Sequence, residues 1–165
     1  MTFRLSSHQT VDVISSEPKC LVVEATYQPG GAQPPAHYHP AQEEHFVVAA
    51  GTVRAVVDGV THDLGTGDTL TIKAGQVHRM WNPTSEPATV RWETTPAMDT
   101  EDWFRGLDQL QTTAEANGKP GTDPISFAAM ASRHRDSFRF VVGGPKPLGD
   151  IVIQVLGAVG RVIGR

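Results

Sequence analysis

Between residues 37 and 45 the chain places three histidines and two glutamates: His37, His39, Glu43, Glu44 and His45, just after the pair Pro34-Pro35. In an extended segment, residues two apart point to the same side, so His37 and His39 aim two imidazoles into one space. The prolines favour that extended form and exclude a helix. Glu44 opens an apolar run, where a short turn would fold the chain back and deliver its carboxylate beside the rings. A third imidazole is needed from farther away, and His78, in "GDTLTIKAGQVHRMWN", follows a glycine turn. Three neutral imidazole nitrogens and one carboxylate oxygen suit one divalent transition metal ion, without choosing among iron, manganese, nickel, cobalt and zinc. The competing reading is a polar surface loop. Glu43 has the opposite parity and faces away, replacing Glu44 only if the turn shifts by one residue. His45 reads as a packed or interface residue. His8, His62 and His134 have no ligand partner at useful spacing and read as solvated or structural.

The elements that must position these groups are short strands. "VDVI", "CLVVEATYQ", "EHFVVAA", "TVRAVVDG", "DTLTIKAG" and "ATVRWETT" are rich in Val, Thr, Ile and aromatic residues, with turn residues between them. Asp58-Gly59 is a hairpin signal, because both central positions of such a turn need positive φ. Many short strands at regular spacing predict an all-β sandwich or barrel, present once. Glu44, Phe46 and Val48 share one face, as do His78 and Met80. Phe46, Val48, Met80 and Trp92 are therefore candidate pocket-lining residues, although core packing explains them equally well. After Pro96 the character changes. Trp103, Phe104, Leu107 and Leu110 recur at helical spacing, with a start at Thr100 and a stop at Asn117-Gly118. Asp123-Pro124 caps a second helical pattern carrying Ile125, Ala128, Ala129 and Ser132. The last residues, from Pro147, carry a glycine-interrupted apolar stripe including Val152, Val155, Leu156 and Val159.

The spacing Gly31-x5-His37-x-His39-x4-Glu44-x6-Gly51 resembles the first cupin motif along its whole length. The segment Gly67-x5-Lys73-x-Gly75-x2-His78-x3-Asn82 resembles the second, with Lys73 standing where a proline is usual. The resemblance covers roughly residues 20 to 96. It implies a cupin jelly-roll β-barrel (a double-stranded β-helix of the RmlC-like, cupin-2 type) with metal ligation by His37, His39, Glu44 and His78. The tail is similar to a helical extension of uncharacterised bacterial cupin-2 proteins, which brings no activity with it. The expected division is a barrel over 1–98 and a helical C-terminal extension over 99–165.

The bulk properties bound the function. A formal net charge of −4 gives no basic footprint for nucleic acid. The single cysteine, Cys20, excludes an intrachain disulfide and reads as a small buried hydrophobe. The first residues lack an apolar core of signal-peptide length, and no stretch suits a bilayer span, so a cytoplasmic protein is expected. Arg54, Arg79 and Arg91 could orient an anionic substrate, but surface placement is the better reading of each. Two functional readings follow. One is a metalloenzyme of dioxygenase, isomerase or cyclase type acting on a small organic substrate. The other is a non-catalytic module that binds a small ligand and whose helical tail contacts a partner or second subunit. A homodimer is expected from the family. Contact of the terminal helix with a membrane surface, through Arg161 and Arg165, is the weaker use of that stripe. No catalytic residue is assigned beyond the ligand set.

Overall fold

The computed structural model describes residues 1–118 and 122–141. The expected terminal helix from Pro147 onward, with its membrane-facing arginines, lies outside the described residues. Strands β1 (Thr2–Ser6), β2 (Gln9–Glu17), β3 (Cys20–Tyr27), β4 (His37–Tyr38), β5 (Glu43–Ala50) and β6 (Thr52–Val57) come first. They are followed by β7 (Val60–Gly65), β8 (Thr69–Ile72), β9 (His78–Trp81) and β10 (Ala88–Thr95). Helices α1 (Thr100–Ala116) and α2 (Pro124–Ala131) and a final strand β11 (Arg139–Phe140) complete the described chain.

The strands form two antiparallel sheets, ordered β1-β2-β3-β10-β5-β8 and β11-β4-β9-β6-β7. Alternation decides which side chains go between them. In β6, Val53, Ala55 and Val57 are buried while Thr52, Arg54 and Val56 are half-buried, and β10 buries Ala88, Val90, Trp92 and Thr94. The inward sets of both sheets meet in one apolar cluster, the arrangement of a jelly roll. The Asp58-Gly59 turn forms as expected, with φ of 48° and 85° joining β6 to β7. Gly51, at φ 77°, turns β5 into β6 where a Cβ would lie 2.6 Å from the Pro87 carbonyl oxygen. Glycine alone fits there.

Two strands were not visible in the sequence pattern. β1 pairs with β2 and forms the outer edge of the larger sheet, covered by α1. The Arg4 guanidinium ties that edge to the helix through Asp108 and Glu115. β11 pairs with β4, Phe140 opposite His37. The second helical pattern thus stops at Ala131, where the polar run from Arg133 to Asp136 offers no apolar face to bury. The chain then turns and returns to the barrel. Trp103, Phe104, Met130, Ala131 and Phe140 share the apolar cluster with the barrel residues, so packing runs continuously across residue 98. Cys20, read as buried, is only half-buried at the head of β3.

Candidate metal centre

β4 and β9 pair with His37 directly opposite His78. His39 follows β4 by one residue, on the same side as His37. Glu44 comes from β5, which lies in the other sheet: the chain does not fold back as a hairpin after His39 but crosses to the facing layer. The carboxylate therefore meets the imidazoles across the barrel interior. His39 Nε2 is 3.1 Å from Glu44 Oε1, and His78 Nε2 is 2.9 Å from Oε2. One ligand atom from each of His37, His39 and His78 lies within 4.8 Å of the others. Glu43 is exposed and faces away, as its parity requires.

The far nitrogen of every ring is already committed. Nδ1 of His37 faces the Pro35 carbonyl at 3.1 Å, Nδ1 of His39 the Ser137 carbonyl at 2.7 Å, and Nδ1 of His78 the Gln76 carbonyl at 3.1 Å. A carbonyl only accepts, so each Nδ1 carries the hydrogen and each neutral ring turns a bare Nε2 lone pair inward. Glu44 adds a carboxylate, which also only accepts. The result is a buried group of acceptors with no donor among them. Accordingly, neither oxygen of Glu44 nor Nε2 of His39 completes a hydrogen bond with the described residues. Such a group needs a cation at its centre, a proton or a metal. The nitrogen–oxygen separations match those of neighbouring ligands, which stand about 3 Å apart when each is roughly 2.1 Å from one ion. The residues fit a divalent metal.

The electrostatics agree. His37 is held well below its ordinary pKa by desolvation first, then by His78 and His39. Burial alone would push the Glu44 carboxyl up, but His39 and His78 together hold it well below the usual carboxylate range. Burial also works against a charge on His39, and the Glu44 carboxylate overrides it, raising His39. Without a metal, the pair Glu44–His39 takes the proton that the centre needs.

Beside this group lies a cavity of about 510 Å³. Glu44, His37 and His78 open onto it, and Phe46, Met80 and Trp92, which also belong to the apolar core, lie along its wall. Val48 does not; it is buried in the core and away from the cavity wall. The opposite wall comes from beyond the barrel, from Trp103, Phe104, Leu107, Phe127, Phe138 and Phe140. Phe138 stacks on the His37 ring, centroids 4.3 Å apart.

Residues 23–92 match the family model described as "Cupin domain" (Cupin_2). The barrel is a cupin-2 domain. Among solved structures, KdgF from Halomonas sp. is similar at TM-score 0.56 and 18% identity, over 61% of this chain and 92% of that one. A structure described as a sugar phosphate isomerase from a cupin superfamily, from Silicibacter pomeroyi, reaches TM-score 0.50 and 26% identity, over 55% and 61%. A probable oxidoreductase, patJ, of Aspergillus clavatus is 34% identical over 80 residues, covering 48% of this chain and 24% of that protein. The chain spans less than a quarter of the length of the curated relatives it matches.

Several residues around the site carried no sequence signal. Ser137 reaches His39 through a backbone carbonyl, which any residue possesses. Its hydroxyl bonds to Asp99, which also accepts from His134 Nδ1 at 2.7 Å. His134 is thus structural, as its spacing suggested. Buried Gln42 donates to the carbonyls of Pro96 and Ala97 and to Thr100 Oγ1, fixing the turn between His39 and Glu44 against the start of α1. Asn82 donates to the Tyr27 and Glu86 carbonyls and so holds the backbone there. Arg54 pairs with Asp63 and Arg91 with Glu93 on the surface.

Proposed function

We propose that this cupin is a metalloenzyme acting on a small organic molecule, with His37, His39, Glu44 and His78 holding one divalent transition metal. The observation that carries this reading is the inward convergence of acceptors whose outer nitrogens are all tied to backbone carbonyls. Bound there, a metal would supply Lewis acidity or, if redox-active, oxygen chemistry. The chain's own part is to keep the imidazoles neutral, to fix their orientation, and to surround the substrate with apolar walls that exclude water. The oxidoreductase description of patJ supports the oxidative version over an isomerase or cyclase. The sugar phosphate isomerase likeness supports an isomerase, but no lysine or arginine among the described residues lines the cavity to receive a phosphate.

The alternative, a binding module whose tail relays to a partner, finds less support. α1, α2 and β11 face the cavity and furnish its wall, which is a role within the site. No described helix is long and apolar enough to cross a membrane.

Elemental analysis of the purified protein, with reloading by iron, manganese, nickel, cobalt or zinc, tests the centre. About one ion per chain, lost in Glu44→Ala and His78→Ala variants that still fold, is expected. A native protein without metal that takes up none of the five would overturn the reading. Oxygen uptake with flavonoids, β-diketones and catechols tests the oxidative version, which fails if no metal form turns any of them over.

A further inference from the structure

The cavity beside the metal centre carries a chemical signature of its own. Its described lining contains aromatic rings from both sheets and from the C-terminal elements, and no lysine or arginine. Its one carboxylate is Glu44, which belongs to the metal centre. The half-buried and exposed stretches of the lining, residues 6–9 and 28–35, carry no acidic or basic side chain except the imidazole of His8, whose Nδ1 already meets the Pro29 carbonyl. Away from the metal centre, an anion entering this space would leave its hydration shell for walls that offer no counter-charge.

One donor in the lining is buried and uncommitted, and a second lines the same space. Tyr27, 6% exposed, brings its hydroxyl-bearing ring to the cavity wall. Trp92 is 8% exposed, and its Nε1 has no hydrogen-bond partner among the described residues. An unpaired buried donor costs free energy until something accepts from it.

We propose that the cavity takes an uncharged, planar aromatic molecule bearing a carbonyl or hydroxyl oxygen, with Tyr27 as the donor to that oxygen. The proposal rests on the enzyme reading above and narrows its substrate class. The rings of Phe46, Trp92, Phe104 and Phe138 supply stacking and edge contacts to the ligand's plane. The volume of about 510 Å³ lies within the usual range for small-molecule sites. Tyr27 distinguishes an oxygenated ring from a bare hydrocarbon, because a donor left unpaired by the wrong ligand is penalised.

The test uses the full chain, stripped of metal, so that binding to the cavity is read apart from chemistry at the centre. The probes share one ring system: 2-acetylnaphthalene, naphthalene, 2-naphthoate and 2-naphthyl phosphate. Binding is followed by titration calorimetry and by quenching of the cavity tryptophans. The ketone should bind at least about tenfold more tightly than either anion. Tyr27→Phe should weaken the ketone by about five- to tenfold and leave naphthalene unchanged. Equal or tighter binding of the phosphate or the carboxylate would overturn the proposal, as would a ketone affinity indifferent to Tyr27→Phe. Failure of the probes to bind a protein that does load one metal ion would sink the substrate class alone. Normal probe binding by a protein that takes up no metal would sink the enzyme reading instead.

Discussion

The carbonyl oxygen of Ser137 stands 2.7 Å from Nδ1 of His39, although 98 residues separate them in the chain. A segment far downstream of the barrel therefore fixes the tautomer and orientation of one of the four converging side chains. Ser137 is itself held by Asp99, which also binds His134. Asp99 is thus a positioning residue for a centre it does not touch. Asp99→Ala should weaken metal binding by about 10- to 100-fold, the usual cost of removing support behind a metal ligand. Competition against a chelator measures it, and circular dichroism confirms that the variant is folded. An unchanged affinity would mean that the Ser137 carbonyl holds its place without Asp99.

The metal-free protein should lose stability in acid in two stages. His37 is depressed below 6.5, so below that value the unfolded chain takes a proton that the folded chain refuses. Stability therefore falls as pH drops from about 6.5 toward the folded value. Glu44 is depressed below 4.5, so its contribution is complete above that value and is lost as pH falls further. His39 is raised above 6.5, and its contribution, present below that value, is lost as pH rises through the folded value. Urea unfolding of chelator-treated protein between about pH 4 and pH 8 should show a maximum flanked by both losses, and His37→Phe should remove the first acid stage.

A test of the barrel, separate from the site, is Gly51→Ala. The residue sits at φ 77°, and the added Cβ would press on the Pro87 carbonyl at 2.6 Å. Backbone gives way less easily than a side chain, so a loss of about 2 kcal/mol is expected in chemical denaturation. Glu44 lies at the other end of β5, roughly 20 Å away at strand rise, so metal affinity should hold. A parallel loss of affinity would show that strain travels along the strand.

What the sequence made legible follows the range of its signals. Alternation and turn residues are local, and they placed the shared face of Glu44, Phe46 and Val48 in β5, that of His78 and Met80 in β9, and the turn at Asp58-Gly59. The ligand spacing was legible because imidazoles and carboxylates have few other uses at such offsets. The helix from Thr100 was legible because Trp103, Phe104, Leu107 and Leu110 share a stripe. β1 and β11 were not, because short edge strands carry too few residues to establish a period. Phe138 and Phe140 carried no signal of their own, and only the tertiary fold shows them returning to His37. Val48 has the right parity for the cavity but sits too far along β5 to reach it. Tyr27 and Ser137 act through a lone hydroxyl and a backbone carbonyl, neither of which has a sequence signature.

β4 is two residues long and is flanked by β9 on one side and β11 on the other. A slip of one residue in so brief a pairing would turn His37 and His39 to the opposite face. Phe140, seated against His37, guards against that slip. The order of synthesis then matters. While the chain is being made, all four ligand-bearing residues emerge well before Phe140 does. Until the ribosome has released that residue, a nascent barrel holds its histidines without the clamp that keeps them in register, and any metal the centre takes would be captured late in maturation.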